Sequence, residues 1–174
     1  MLKFLALIGL LAIVFAVVAA VYFFGGFYSV AATEEDPALV DRMLIQVRQA
    51  SIARRAKDTP PAEDGSAVQA GARAYATRGC VNCHGAPGVE WAKWSEGMRP
   101  YPPDLKEISE ERPPAELFWV IRNGIKMTAM PGFATTGAKD EEIWKIVAFV
   151  KKWPSVTPED YKAWTETTAA TPPG

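Results

Sequence analysis

Hydrophobic positions follow three regimes along this chain. From Phe4 to Tyr28 the residues form one uncharged, largely apolar run. A helix needs roughly 20 apolar residues to cross the hydrocarbon core of a bilayer, so the run predicts a spanning helix within residues 1–30. The apolar core of a cleaved signal peptide is shorter, about 7–15 residues. Val18-Ala19-Ala20 offers small residues for a cleavage site, yet Val21, Tyr22, Phe23, Phe24 and Phe27 continue the apolar run beyond it. An uncleaved anchor is therefore the expectation, with a cleaved leader as the alternative.

The second regime has helical spacing. Asp36-Pro37 reads as an N-cap followed by a proline at the first helical position, and no glycine or proline interrupts from there to about Lys57. Leu39, Val40, Met43, Leu44 and Val47 share one stripe, while Ile45 and Ile52 fall on the opposite face. A helix apolar on more than one side has more than one neighbour. Two readings stay open: a stalk that packs on its own domain, or a docking helix in a larger membrane complex, resting partly on headgroups through Arg54, Arg55 and Lys57.

The third regime begins after a linker, Thr59-Pro60-Pro61-Ala62-Glu63-Asp64-Gly65. Residues 66–78 read as a helix ending at Gly79. Residues 85–104 read as loop, with a single turn around Trp91 to Trp94. A helix runs from Pro114 to Arg122 and is closed by Asn123-Gly124; a loop follows to about Lys139. The last core helix covers Asp140 to Trp153, buries Ile143, Trp144, Val147, Ala148 and Val150, and stops at Pro154. Pro158 to Trp164 adds a short exposed helix before a disordered tail rich in threonine and proline. With no alternating pattern and no repeat, the fold class is all-α. The organisation expected is an anchor at 1–30, a stalk helix and linker at 31–65, a folded domain at 66–154 and a tail at 155–174.

A chain of 174 residues suits one compact domain with attachments. A net charge of -1 gives no basic face for nucleic acid. What changes the picture is cysteine and histidine usage. The two cysteines and the single histidine all sit in one pentapeptide, Cys80-Val81-Asn82-Cys83-His84. Cys-x-x-Cys-His is the attachment signature of c-type haem. Residues three apart in a helical turn face the same way, so both thiols can meet the two vinyl groups on one porphyrin edge. His84 then supplies the proximal ligand to iron. Competing readings fit less well. A dithiol redox motif would sit near a βαβ pattern, a structural zinc site wants four ligands, and a plain disulfide would not explain the adjacent histidine.

With one histidine, a second imidazole ligand cannot come from this chain. The distal ligand is then a methionine, or the iron is five-coordinate. Met1 is terminal and Met43 lies in the stalk, leaving Met98, Met127 and Met130. Met130 precedes Pro131, which favours extended backbone, and it lies in a loop able to cross an open haem face. Met130 is the first choice, and Met127 is its close rival.

These residues resemble a class I bacterial cytochrome c domain. The resemblance rests on Gly71 and Tyr75, on Gly79-Cys80-Val81-Asn82-Cys83-His84-Gly85, on Pro103-Asp104-Leu105, on Asn123-Gly124 and Met130-Pro131, and on Ile143-Trp144 with Phe149-Val150. It covers about residues 66–153. It implies a first and a last helix that cross near Gly71, Tyr75 and Trp144, and a distal side closed by Met130. It also implies one covalently attached haem c on Cys80 and Cys83, with the iron held by His84 and Met130.

The function expected is electron transfer, not enzymatic turnover, because an iron with both axial positions filled has no free site for substrate. His/Met ligation also raises the potential, which suits a respiratory chain. The alternative is a haem enzyme or gas sensor with an open distal site. Trp91, Trp94, Tyr101 and Trp119 are candidates to hydrogen-bond haem propionates or shield its edge, although ordinary core and loop packing is the commoner role for each. The expected partners are redox proteins, in particular a membrane or periplasmic oxidoreductase, and membrane lipid around the first helix. Lys3 and the cations after the span pull the orientation in opposite directions. Haem attachment, which in bacteria occurs outside the cytoplasm, decides for a single-pass inner-membrane protein with a periplasmic haem domain.

Overall fold

A computed structural model describes residues 1–62 and 65–166. It contains eight α-helices and, among the described residues, no β-strand. The chain divides into two compact units, Met1–Asp36 and the residues from Pro37 onward.

The first unit is built on α1, Leu2–Phe24. Its 23 residues rise about 1.5 Å each, enough to cross a hydrocarbon core of about 30 Å, and none of them is buried. By length and composition α1 is a candidate span, consistent with membrane anchoring. At its C-terminal end, Tyr22 and Phe23 gather their rings with that of Tyr28, just beyond the helix, at centroid distances of 5.2 to 6.2 Å. The Tyr28 hydroxyl donates to Asp36. Asp36 is thereby engaged, and the cap expected from it does not form: α2 spans Ala38–Arg55 with Pro37 at the N-cap.

The second unit continues with α3 (Gly65–Thr77), α4 (Val81–His84), α5 (Leu105–Glu111), α6 (Pro114–Asn123), α7 (Asp140–Lys152) and α8 (Pro158–Glu166). Its centre is the crossing of α3 over α7. A Cβ on Gly71 would lie 1.9 Å from the Lys145 carbonyl oxygen and 3.0 Å from the Phe149 Cβ, so the two backbones approach as only glycine permits. One turn on, Tyr75 is 1 % exposed and meets Phe149 at 5.3 Å and Trp153 at 5.7 Å between ring centroids. Trp144 is displaced from this crossing. Its ring stacks on Phe118 of α6, at 4.1 Å and 12°.

Three further features depart from the sequence expectation. Helix α5 falls between the loop read to residue 104 and the helix read from Pro114, a stretch to which the sequence assigned no element. The Asp104 side chain accepts from the Lys106 N–H at 2.7 Å, the N-cap device that starts a helix after an Asp. Lys151 of α7 then fastens the α5–α6 junction, donating to the carbonyls of Ser109 and Arg112. Helix α8 exists but is not the exposed appendage expected. Tyr161 is 5 % exposed and stacks on Phe149 at 5.7 Å, because Tyr161 and Trp164, three residues apart, turn one apolar face toward α3. Finally, Pro154 does not end the chain's helical path at once; Trp153–Ser155 forms a 3₁₀ turn. The tail beyond Glu166 and the linker residues Glu63 and Asp64 lie outside the described residues.

At the far end of α3, Arg78 grips Glu142 of α7 through two parallel 2.8 Å bonds. The guanidinium holds the Glu142 carboxyl below its ordinary value, so the pair contributes stability above the usual carboxylate range and loses it as pH falls through the depressed value. Urea midpoints measured from neutral pH to about pH 3 should fall less steeply for Glu142→Gln than for the wild type; parallel curves would show that this pair carries no linkage. Gly71→Val, which places side-chain atoms against the Lys145 carbonyl, should destabilise the fold by about 1–3 kcal/mol or more, read from the same unfolding curves.

Candidate functional site

The Cys80–His84 segment is one tight turn held at both ends. Gly79 (φ +76°) and Gly85 (φ +67°) flank it in the left-handed region, where a β-carbon is strained. The Cys80 carbonyl accepts from the N–H groups of Cys83 (3.2 Å) and His84 (3.0 Å), which closes the turn and places positions 80 and 83 on one side. The Tyr75 hydroxyl donates to the Gly85 carbonyl at 2.7 Å, tying the turn to the α3–α7 core. Burial, with Cys80 nearby, pushes the Tyr75 phenol far above its ordinary value, so this donor stays protonated.

The His84 ring is oriented by backbone. Its Nδ1–H donates to the Pro103 carbonyl at 3.0 Å, which leaves the Nε2 lone pair as the group able to bind a metal. Burial lowers the imidazole's proton affinity, opposed by that hydrogen bond, and the neutral form is the one that ligates. Burial likewise pushes the Cys80 thiol up to about 12 and raises Cys83. Thiolate nucleophiles and thiolate metal ligands need the opposite shift. Both thiols face a mostly apolar cavity.

Both cysteines and His84 open onto a cavity of about 480 Å³, walled by Leu105, Leu117, Ile121, Phe133, Ile146 and Val150. Met98 and Met130 line it as well. Met127 does not; it is 96 % exposed, with φ +61°. Met130 is partly buried against the core. Its loop is clamped to the end of α6, where a Cβ on Gly124 would come within 2.6 to 2.8 Å of the backbone of Met130, Pro131 and Gly132. The Ile125 N–H donates to the Met130 carbonyl at 3.2 Å. The Thr128 hydroxyl accepts from the Met130 N–H at 3.1 Å and donates to the Ile125 carbonyl at 2.8 Å. Met98 belongs instead to the loop that supplies Pro103, the partner of His84.

Residues 66–150 match the family model described as cytochrome c oxidase, cbb3-type, subunit III. The matched segment contains both cysteines, His84 and Met130. It is a class I c-type cytochrome domain. No curated protein and no solved structure matches the chain. The cytochrome family implies haem c as the cofactor and electron transfer as the role. The cavity of this cytochrome domain suits haem in its chemistry. Its walls are mostly apolar, two thiols stand on one helical turn, an imidazole offers a free lone pair, and a thioether comes from a separate loop.

Sequence reasoning missed several parts of this site. Pro103 lies in a stretch on which the resemblance rests, but the bond of its carbonyl to His84, 19 residues away, is not signalled locally, and nothing local to Thr128 signals its hold on the Met130 loop. Of the four aromatics named above, Trp94 and Tyr101 line the cavity, whereas the Trp91 indole N–H points to Glu96 at 3.4 Å. Arg48, Gln49 and Ile52 of α2 also line it, although they precede the matched segment. Gly124→Ala, strained by a positive φ and crowded by the methionine loop, should cost about 1–3 kcal/mol. Wild-type stability in urea unfolding would show that the loop has room to yield.

Proposed function

We propose that this chain carries one haem c, joined by thioether bonds to Cys80 and Cys83, with His84 and Met130 as the axial ligands. It transfers single electrons on the periplasmic face of the inner membrane, as a subunit or close partner of a respiratory oxidoreductase complex, and is not itself an enzyme. The observation that carries the reading is the convergence of both thiols, the oriented imidazole and Met130 on one apolar cavity. When bound, haem supplies a one-electron iron couple. The chain's own contributions are positional and electrostatic. The α4 turn presents both thiols together, Pro103 holds the His84 tautomer, and the glycine clamp with Thr128 sets the Met130 loop. The apolar wall excludes water and so disfavours the more highly charged oxidised state, which, with a thioether ligand, favours a positive potential.

The family's description supports an oxidase as the partner complex, and α1 supports a membrane anchor. Leu39, Met43, Leu44 and Val47 on α2 are exposed, an apolar stripe that a neighbouring membrane subunit would cover.

The test uses the full chain purified in mild detergent. Acidic organic solvent should leave the colour on the polypeptide, and the oxidised protein should show the long-wavelength methionine–iron absorption. Met130→Ala should abolish that band and lower the midpoint potential while retaining the bound colour; Met127→Ala should change neither. A colourless extracted chain with two free thiols would overturn the assignment. A coloured wild type without the band would instead favour a haem enzyme or gas sensor with an open distal site.

A further inference from the structure

The wall that α2 gives to the cavity lies outside the matched cytochrome segment. Helix α2 rests against α6, and Ile52, at 8 % exposed, is its buried residue. Arg48 and Gln49, one turn back on the same face, border the cavity with it. Helix α2 is therefore more than a spacer between a membrane segment and a folded domain.

Charge along the cavity wall is unbalanced. Three guanidinium groups line it, those of Arg48, Arg78 and Arg112, against one carboxylate, Glu116. Arg78 is doubly bonded to Glu142, which is not a lining residue, and Arg112 takes Glu116 at 3.2 Å. Arg48 has no acidic partner among the described residues. A half-buried cation facing an apolar cavity is costly unless an anion meets it there. Haem brings two propionate carboxylates.

Resting on the haem assignment above, we propose that Arg48 pairs with a haem propionate, making α2 a structural wall of the cofactor site and a determinant of its potential. The electrostatic consequence has a definite sign. A cation near the iron stabilises the reduced form, which carries one positive charge fewer, so neutralising Arg48 weakens the hold on the electron.

The experiment is a redox titration of the haem-loaded full chain in mild detergent, comparing wild type with Arg48→Leu, Arg48→Gln and Arg48→Lys. Arg54→Leu, on an exposed residue of the same helix that does not line the cavity, is the control. Both neutral variants should shift the one-electron equilibrium about tenfold toward the oxidised form, equal to about 59 mV. Arg48→Lys should restore most of the shift, and Arg54→Leu should leave the potential at its wild-type value. If the neutral variants fail to retain haem while Arg48→Lys retains it, the requirement for charge is equally supported. Unshifted neutral variants, an equal shift in Arg54→Leu, or haem loss in Arg48→Lys as well would overturn the proposal. A wild type without haem would instead sink the functional assignment itself, whatever the Arg48 variants do.

Discussion

The hydrogen bond from the Tyr75 hydroxyl to the Gly85 carbonyl, 2.7 Å long and buried, is where the core of this protein becomes its site. On one side, the Tyr75 ring is part of the aromatic cluster with Phe149 and Trp153, seated beside the Gly71 crossing. On the other, its hydroxyl satisfies a backbone carbonyl at the end of the Cys80–His84 turn. A buried carbonyl left without a donor costs about 1–3 kcal/mol. The cheapest arrangement thus holds the turn in register with the helix crossing. Positions of the thiols and of His84 follow from helix packing that involves neither.

The rest of the site is set by backbone meeting backbone. A peptide carbonyl, Pro103, orients His84, and two glycines let the end of α6 sit directly on the loop of Met130. Such contacts are stiffer than contacts between long side chains, which must give up rotamer freedom to hold one geometry. A centre that moves electrons gains from that stiffness, since small structural change between redox states keeps the barrier to transfer low. The side chains facing the cavity are then free to be mostly apolar, with charged groups confined to Arg48, Arg78, Arg112 and Glu116, beside the imidazole of His84.

Helix α2 joins two roles usually kept apart. Its inner face, with Arg48, Gln49 and Ile52, completes the cavity wall, while its outer stripe of Leu39, Met43 and Val47 remains exposed. The two readings left open by its two-sided apolar pattern therefore do not exclude one another. The exposed stripe lies one helix diameter, about 10–12 Å, from the cavity.

Local chemistry makes much of this protein legible in its amino-acid order alone. A run of this length without charges reads as one continuous helix, a candidate span, and Cys-x-x-Cys-His confines both sulfurs and an imidazole to one turn. Helices α3, α6 and α7 are readable from their spacing and their stops, since those signals act within a few residues. Helix α5 carries a signal too, through Asp104, but that cap is hidden in a proline-rich stretch. Elimination along the chain also narrows the distal ligand to three methionines. Only the tertiary structure decided which of them meet the cavity, that Pro103 holds His84, that Tyr161 is core and that α2 forms a wall. Each of these depends on where one segment stops against another tens of residues away, and pattern within a segment carries no information about that distance.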